Sequence, residues 1–204
     1  MMKHHFQKGT DLTKPVILLL HGTGGNEHSM LSIAEMIDPE ASVLSVRGNV
    51  LENGMPRFFK RIAEGVFDLE DLYERTAELK QFLEEAAETY SFDRNNIVAA
   101  GYSNGANIAA SLLFQFEREL KGAILFHPMV PRRDLELPLM KGLQVFIGAG
   151  TNDPLCAPEE TEELHRMLES QGAEVTVQWE SFGHQLTVQE VEGAANWYKK
   201  IIGG

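Results

Sequence analysis

Asn96-Ile97-Val98-Ala99-Ala100-Gly101-Tyr102-Ser103-Asn104-Gly105-Ala106-Asn107-Ile108 is the stretch on which the reading of the fold turns. Residues 96–100 form an apolar run of strand length. Residues 106–114 read as a buried helix, small on one side and bulky on the other. Between them, Gly101-Tyr102-Ser103-Asn104-Gly105 fits G-x-S-x-G, the strand-to-helix elbow that exposes a serine hydroxyl. Such a turn strains the serine backbone, so its flanks must lack side chains that would clash. At the helix start, peptide dipoles and free N–H groups favour the negative charge that develops in acyl transfer. Five residues with three fixed arise readily by chance, and the strand before and helix after give the pattern its meaning.

The same alternation extends in both directions. Upstream, Val16-Ile17-Leu18-Leu19-Leu20 is continuously apolar, as expected of a strand buried on both faces of a parallel sheet. It runs into His21-Gly22-Thr23-Gly24-Gly25, with a helix expected around residues 30–37 and a strand over 41–46. Residues 50–65 read as a long irregular loop, a kind that is usually functional inside a compact domain. An amphipathic helix is expected over 68–87. Downstream come strands at 122–126, 142–149 and 173–179, a helix at 159–170, and a terminal helix with Thr187 as its N-cap. Strands alternating with helices predict an α/β fold with a mostly parallel sheet.

The chain of 204 residues fits a single domain, 1–204, and its 43% hydrophobic and 24% charged content is that of a globular protein. A net charge of −12, spread along the chain, argues against nucleic acid and anionic membrane surfaces as partners. No secretory signal or transmembrane-length apolar run is visible, and the single cysteine, Cys156, suits a reducing cytoplasm. The expectation is therefore a cytoplasmic protein without membrane insertion.

Ligands of open α/β sheets sit beyond the carboxyl ends of the strands. The glycine loop near Thr23, Ser103, Asp153 in Gly150-Thr151-Asn152-Asp153-Pro154, and His184 in Gly183-His184 all fall at such ends. The order Ser, Asp, His is the one that triads follow on this architecture. A serine hydroxyl needs a base to take its proton, here His184. That imidazole needs a carboxylate to fix its tautomer, here Asp153. Asp134, preceded by Arg132 and Arg133, is a competing acid that reads better as a surface charge. His127 is assigned a structural or pocket-lining role, His21 a structural hydrogen-bonding one, and Cys156 packing. No phosphate-binding signature and no clustered metal-ligand set stands out, so neither nucleotide nor metal is expected. Gly22, Phe58, Phe59 and Met129 are the expected substrate-lining residues.

On His21-Gly22-Thr23-Gly24, the elbow, the Asp153 loop and Gly183-His184, the chain resembles the carboxylesterase/phospholipase/thioesterase family of small serine α/β-hydrolases, which includes the acyl-protein thioesterases. The resemblance spans nearly the whole chain and is closer to bacterial members. It implies an α/β-hydrolase fold without a large lid and cofactor-free cleavage of small to medium acyl or aryl esters. The same machinery also suits a thioesterase or lysophospholipase. It further implies an oxyanion hole from the backbone N–H groups of Thr23 and Asn104. Eukaryotic members usually carry leucine and glutamine at those two positions, a departure that touches pocket shape but not the backbone donors. Family members include dimers. A ligand-binding protein that kept the fold is the non-enzymatic alternative.

Overall fold

Every residue of Val16–Leu20 is buried, and alternate side chains of this strand feed two separate cores. Leu18 and Leu20 face one core while Ile17 and Leu19 face the other, the period-two alternation of a strand covered on both sides. In the computed structural model, which describes residues 2–203, the chain runs through eleven strands and five helices. They are β1 (His4–Gln7), β2 (Val16–Leu20), α1 (Leu31–Ile37), β3 (Val43–Val46), β4 (Val50–Glu52), β5 (Met55–Arg57), β6 (Arg61–Ala63), β7 (Val66–Phe67) and α2 (Leu69–Tyr90). There follow β8 (Ile97–Tyr102), α3 (Asn104–Gln115), β9 (Gly122–Phe126), β10 (Gln144–Gly150), α4 (Pro158–Ser170), β11 (Glu174–Glu180) and α5 (Val188–Ile202).

Seven strands form one sheet in the order β1-β3-β2-β8-β9-β10-β11, parallel except for β1, which pairs antiparallel with β3. One core holds Leu72, Leu79 and Leu83 of α2, Leu112 of α3 and Leu164 of α4; the other holds Ile37 of α1 and Val191 and Tyr198 of α5. This is the α/β-hydrolase fold, and no lid domain covers it among the described residues.

The expected irregular stretch 50–65 is instead ordered. Strands β4 and β5 pair as one antiparallel hairpin, and β6 and β7 as a second, to form an arm beside the sheet. Main-chain and side-chain bonds fasten the arm to the strand ends: Gly24 N donates to Pro56 O (2.9 Å), and Phe58 N donates to Asn104 Oδ1 (2.7 Å). Phe58 and Phe59 correct the sequence reading. Both are buried, at 1% and 0% exposure, and belong to the core under the arm rather than to a substrate surface. Two large aromatic rings gain more from full burial than from lining a wet cleft.

The elbow glycines have a direct steric cause. A Cβ on Gly105 would stand 1.9 Å from Leu20 O, and one on Gly101 would stand 2.5 Å from Gly105 O. Helix α3 thus crosses β2 and β8 at backbone contact. Gly105→Ala is expected to lower stability by about 3 kcal/mol, read as a drop in denaturation midpoint. An unchanged midpoint would mean that α3 can stand off from the sheet.

Candidate active site

Ser103 sits between β8 and α3 with φ 52 and ψ −112, a left-handed conformation that a non-glycine residue rarely adopts. Its N–H donates to Phe126 O (2.9 Å) at the end of β9, which anchors the strained turn. His184, in the loop between β11 and α5, places Nε2 2.9 Å from Ser103 Oγ and Nδ1 2.6 Å from Asp153 Oδ2. Three side chains remote in sequence are therefore linked in one hydrogen-bonded line.

Asp153 follows β10, and its Oδ1 accepts from the amides of Leu155 (2.8 Å) and Cys156 (3.0 Å). Burial pushes this carboxyl up, but hydrogen bonds from His184, from those amides and from His127 outweigh it and hold it below the usual carboxylate range. The loops carrying the acid and the base are also joined to each other. Gly183 N donates to Asn152 Oδ1 (2.9 Å), and a Cβ on Gly150 would meet Gly183 O at 2.3 Å. From below, Tyr102 donates its hydroxyl to His184 O (2.6 Å), fixing the backbone of the imidazole. Nothing in the sequence signalled this role for Tyr102, the variable second residue of the elbow.

Thr23 and Asn104 both line the cleft in front of Ser103. Asn104 is the first residue of α3, so its N–H has no partner within the helix. Their side chains serve the arm instead: Thr23 Oγ1 accepts from Arg57 Nη1 (2.8 Å), and Asn104 Oδ1 accepts from Phe58. The threonine and asparagine that depart from the eukaryotic pattern are thus the residues that tie the arm down.

The cleft is a cavity of about 240 Å³, bounded on the arm side by Arg57, Arg61, Gly65 and Phe67, and opposite by Met129 and Leu155. Met129 stands in the cleft wall. Gly22 does not; it packs under the Tyr102 ring, which a Cβ there would meet at 2.8 Å. The arm residues Arg57, Arg61 and Phe67 escaped sequence reasoning because nothing local marks them as facing Ser103.

The remaining candidates separate clearly. Asp134 lies on the surface in a two-bond pair with Arg132 (2.8 and 2.7 Å). His21 donates from Nδ1 to Gly22 O (2.7 Å) and accepts at Nε2 from Gly48 N (3.0 Å), shaping the glycine loop; burial lowers its pKa. The Cys156 thiol is buried against Pro128 O, and burial pushes it up to about 12, so it stays protonated. His127, Asp153 and His184 offer ligand atoms within 4.8 Å of one another, and both imidazoles aim Nδ1 at the same Asp153 carboxylate oxygen, at 2.9 and 2.6 Å.

A serine on a strand-to-helix elbow above a parallel sheet, with imidazole and carboxylate on later strand ends, defines an α/β-hydrolase. The comparisons with known proteins carry this one step further. The model of the dienelactone hydrolase family matches residues 4–198, and the chain belongs to that family. MhqD of Bacillus subtilis (strain 168) is 63% identical over 201 residues, covering 98% of this chain and 100% of that protein. The crystal structure of a Bacillus cereus carboxylesterase is 67% identical, covers 98% of this chain and 95% of its own, and superposes with a TM-score of 0.98. Acyl-protein thioesterase 1 of Cryptococcus neoformans var. neoformans serotype D is 26% identical over 221 residues, 91% of this chain and 92% of that protein. Membership of a hydrolase family sets aside the ligand-binding alternative.

Proposed function

We propose that this hydrolase is a serine carboxylesterase acting through an acyl-enzyme on Ser103. The observation that carries the reading is the unbroken line Ser103 Oγ, His184, Asp153, with both contacts at hydrogen-bond distance. In the first half-reaction Ser103 Oγ bonds to the acyl carbon while its proton passes to His184 Nε2. Collapse of the tetrahedral intermediate breaks the ester C–O bond, and the same proton leaves with the alcohol. In the second half-reaction water gives a proton to His184 and its oxygen to the acyl carbon; the proton then returns to Ser103 as the acid departs. Asp153 holds the imidazole in the tautomer that presents a bare Nε2 to the serine. The N–H groups of Thr23 and Asn104 receive the oxyanion, each worth about 10²–10³-fold in rate.

The cleft supports small substrates. Its volume of about 240 Å³ lies below the range of roughly 300–1,000 Å³ usual for drug-sized ligands, which favours short acyl groups. The carboxylesterase neighbour supports esters as the substrate class. A thioesterase is the second reading, favoured by the acyl-protein thioesterase relative. Paired esters and thioesters of one acyl group should give kcat/KM values for the ester at least equal to those for the thioester. A thioester advantage of tenfold or more would transfer the assignment to the second reading.

A further inference from the structure

His127 is the one buried imidazole of the site without a part in the reaction just described. It follows β9 directly and adopts φ 53, held there by its N–H donating to Gly148 O (2.7 Å). That left-handed corner, unfavourable for a non-glycine residue, turns the ring between two carboxylates. Nδ1 stands 2.9 Å from Asp153 Oδ2, and Nε2 stands 3.0 Å from Glu190 Oε1, the latter an ion-pair contact rather than an aligned hydrogen bond. The three side chains are 1%, 0% and 0% exposed. Glu190 projects from the first turn of α5, where its Oε2 accepts from the Thr187 amide and hydroxyl, both at 2.8 Å.

Ionised carboxylates only accept hydrogen bonds, so each ring nitrogen of His127 faces an acceptor and each must carry a proton. The other groups around the ring are His184, at 5.1 Å between ring centroids, and the edge of Tyr102, at 6.0 Å. A neutral His127 would leave two buried carboxylates side by side with no cation between them, an arrangement that burial strongly disfavours.

We propose that His127 is a positioning residue: an imidazolium wedged between Asp153 and Glu190 that pins the Asp153 carboxylate toward His184 and cancels the Glu190 charge, so that His184 faces one negative charge instead of two. Burial draws the His127 pKa down, but Glu190 and then Asp153 outweigh it and raise it above the ordinary histidine value. The geometry also accounts for Asp153 Oδ2 accepting from two imidazoles at once, because its position is then set from both sides.

This inference rests on the Ser103–His184–Asp153 reading, and its test is the pH dependence of kcat/KM for a p-nitrophenyl ester. His127→Gln removes the cation and leaves Asp153 and Glu190 ionised; the acid limb should move up by about one pH unit, since added negative charge favours protonation of the base. Glu190→Gln removes the opposing anion and should move the limb down. The double variant His127→Gln/Glu190→Gln restores a single negative charge, and its limb should return to within about 0.3 units of the parent. A role confined to packing predicts lower denaturation midpoints with an unmoved limb, and that result in either single variant would overturn the proposal. If His127→Gln fails to fold, Glu190→Gln decides alone. Failure of the triad reading itself is distinguishable, because Ser103→Ala would then retain turnover.

Discussion

Ser103→Ala is expected to lower kcat/KM on a short p-nitrophenyl ester by at least about 10⁴-fold, with the denaturation midpoint held near that of the parent. The loss is large because His184 then has no hydroxyl to deprotonate, and no acyl-enzyme can form. Residual turnover would come from the oxyanion donors and substrate positioning alone. A fluorophosphonate probe should label the parent at Ser103 and leave the variant unlabelled. Labelling that survives the substitution would assign the nucleophile elsewhere. The fold should tolerate the change, since the strained backbone at φ 52 is held by the Ser103 N–H to Phe126 O bond and by the neighbouring glycines, none of which involves the hydroxyl.

Asp153→Asn should cost about 10⁴-fold in kcat, whereas Asp134→Asn should leave turnover within about twofold of the parent. The reason is the tautomer of His184. An amide at position 153 can turn its NH₂ toward Nδ1, which then accepts, and Nε2 becomes a donor facing a serine that it can no longer deprotonate. Oδ1 of Asp153 is committed to the Leu155 and Cys156 amides, which also fixes which atom of the replacement reaches His184. Asp134 pairs with Arg132 at the surface. If Asp134→Asn crippled the enzyme while Asp153→Asn spared it, the acid would have been misassigned.

The sheet and the line of three side chains were legible because their signals are local and repeated. The central parallel strands β2, β8, β9 and β10 are dominated by buried apolar and small residues, and the elbow glycines are required by contacts that no other residue permits. What escaped was set by tertiary contact. The edge strand His4–Gln7 has no buried residue and no alternation, and it forms because β3 offers an antiparallel partner. The hairpins of the arm have strands of two or three residues, too short for periodicity, and bonds to Gly24 and Asn104 hold them in place. Phe58 and Phe59 looked like a substrate surface because aromatics in an apparent loop invite that reading; ordered as the arm's root, they become core. His127 carried a faint mark, a histidine at a strand end before proline, but its second partner, Glu190, lies far along the chain on α5.

The arm divides into two parts with different duties. Residues 55–59 are riveted to the loops that carry Thr23 and Asn104, so changes there are transmitted to those two residues. Arg61, Glu64, Gly65 and Phe67, by contrast, reach the cleft from the outer hairpin. Grafting that outer hairpin between relatives, or randomising it in directed evolution, would rebuild one wall of the cleft while the bonds from residues 55–59 to the loops beneath are inherited.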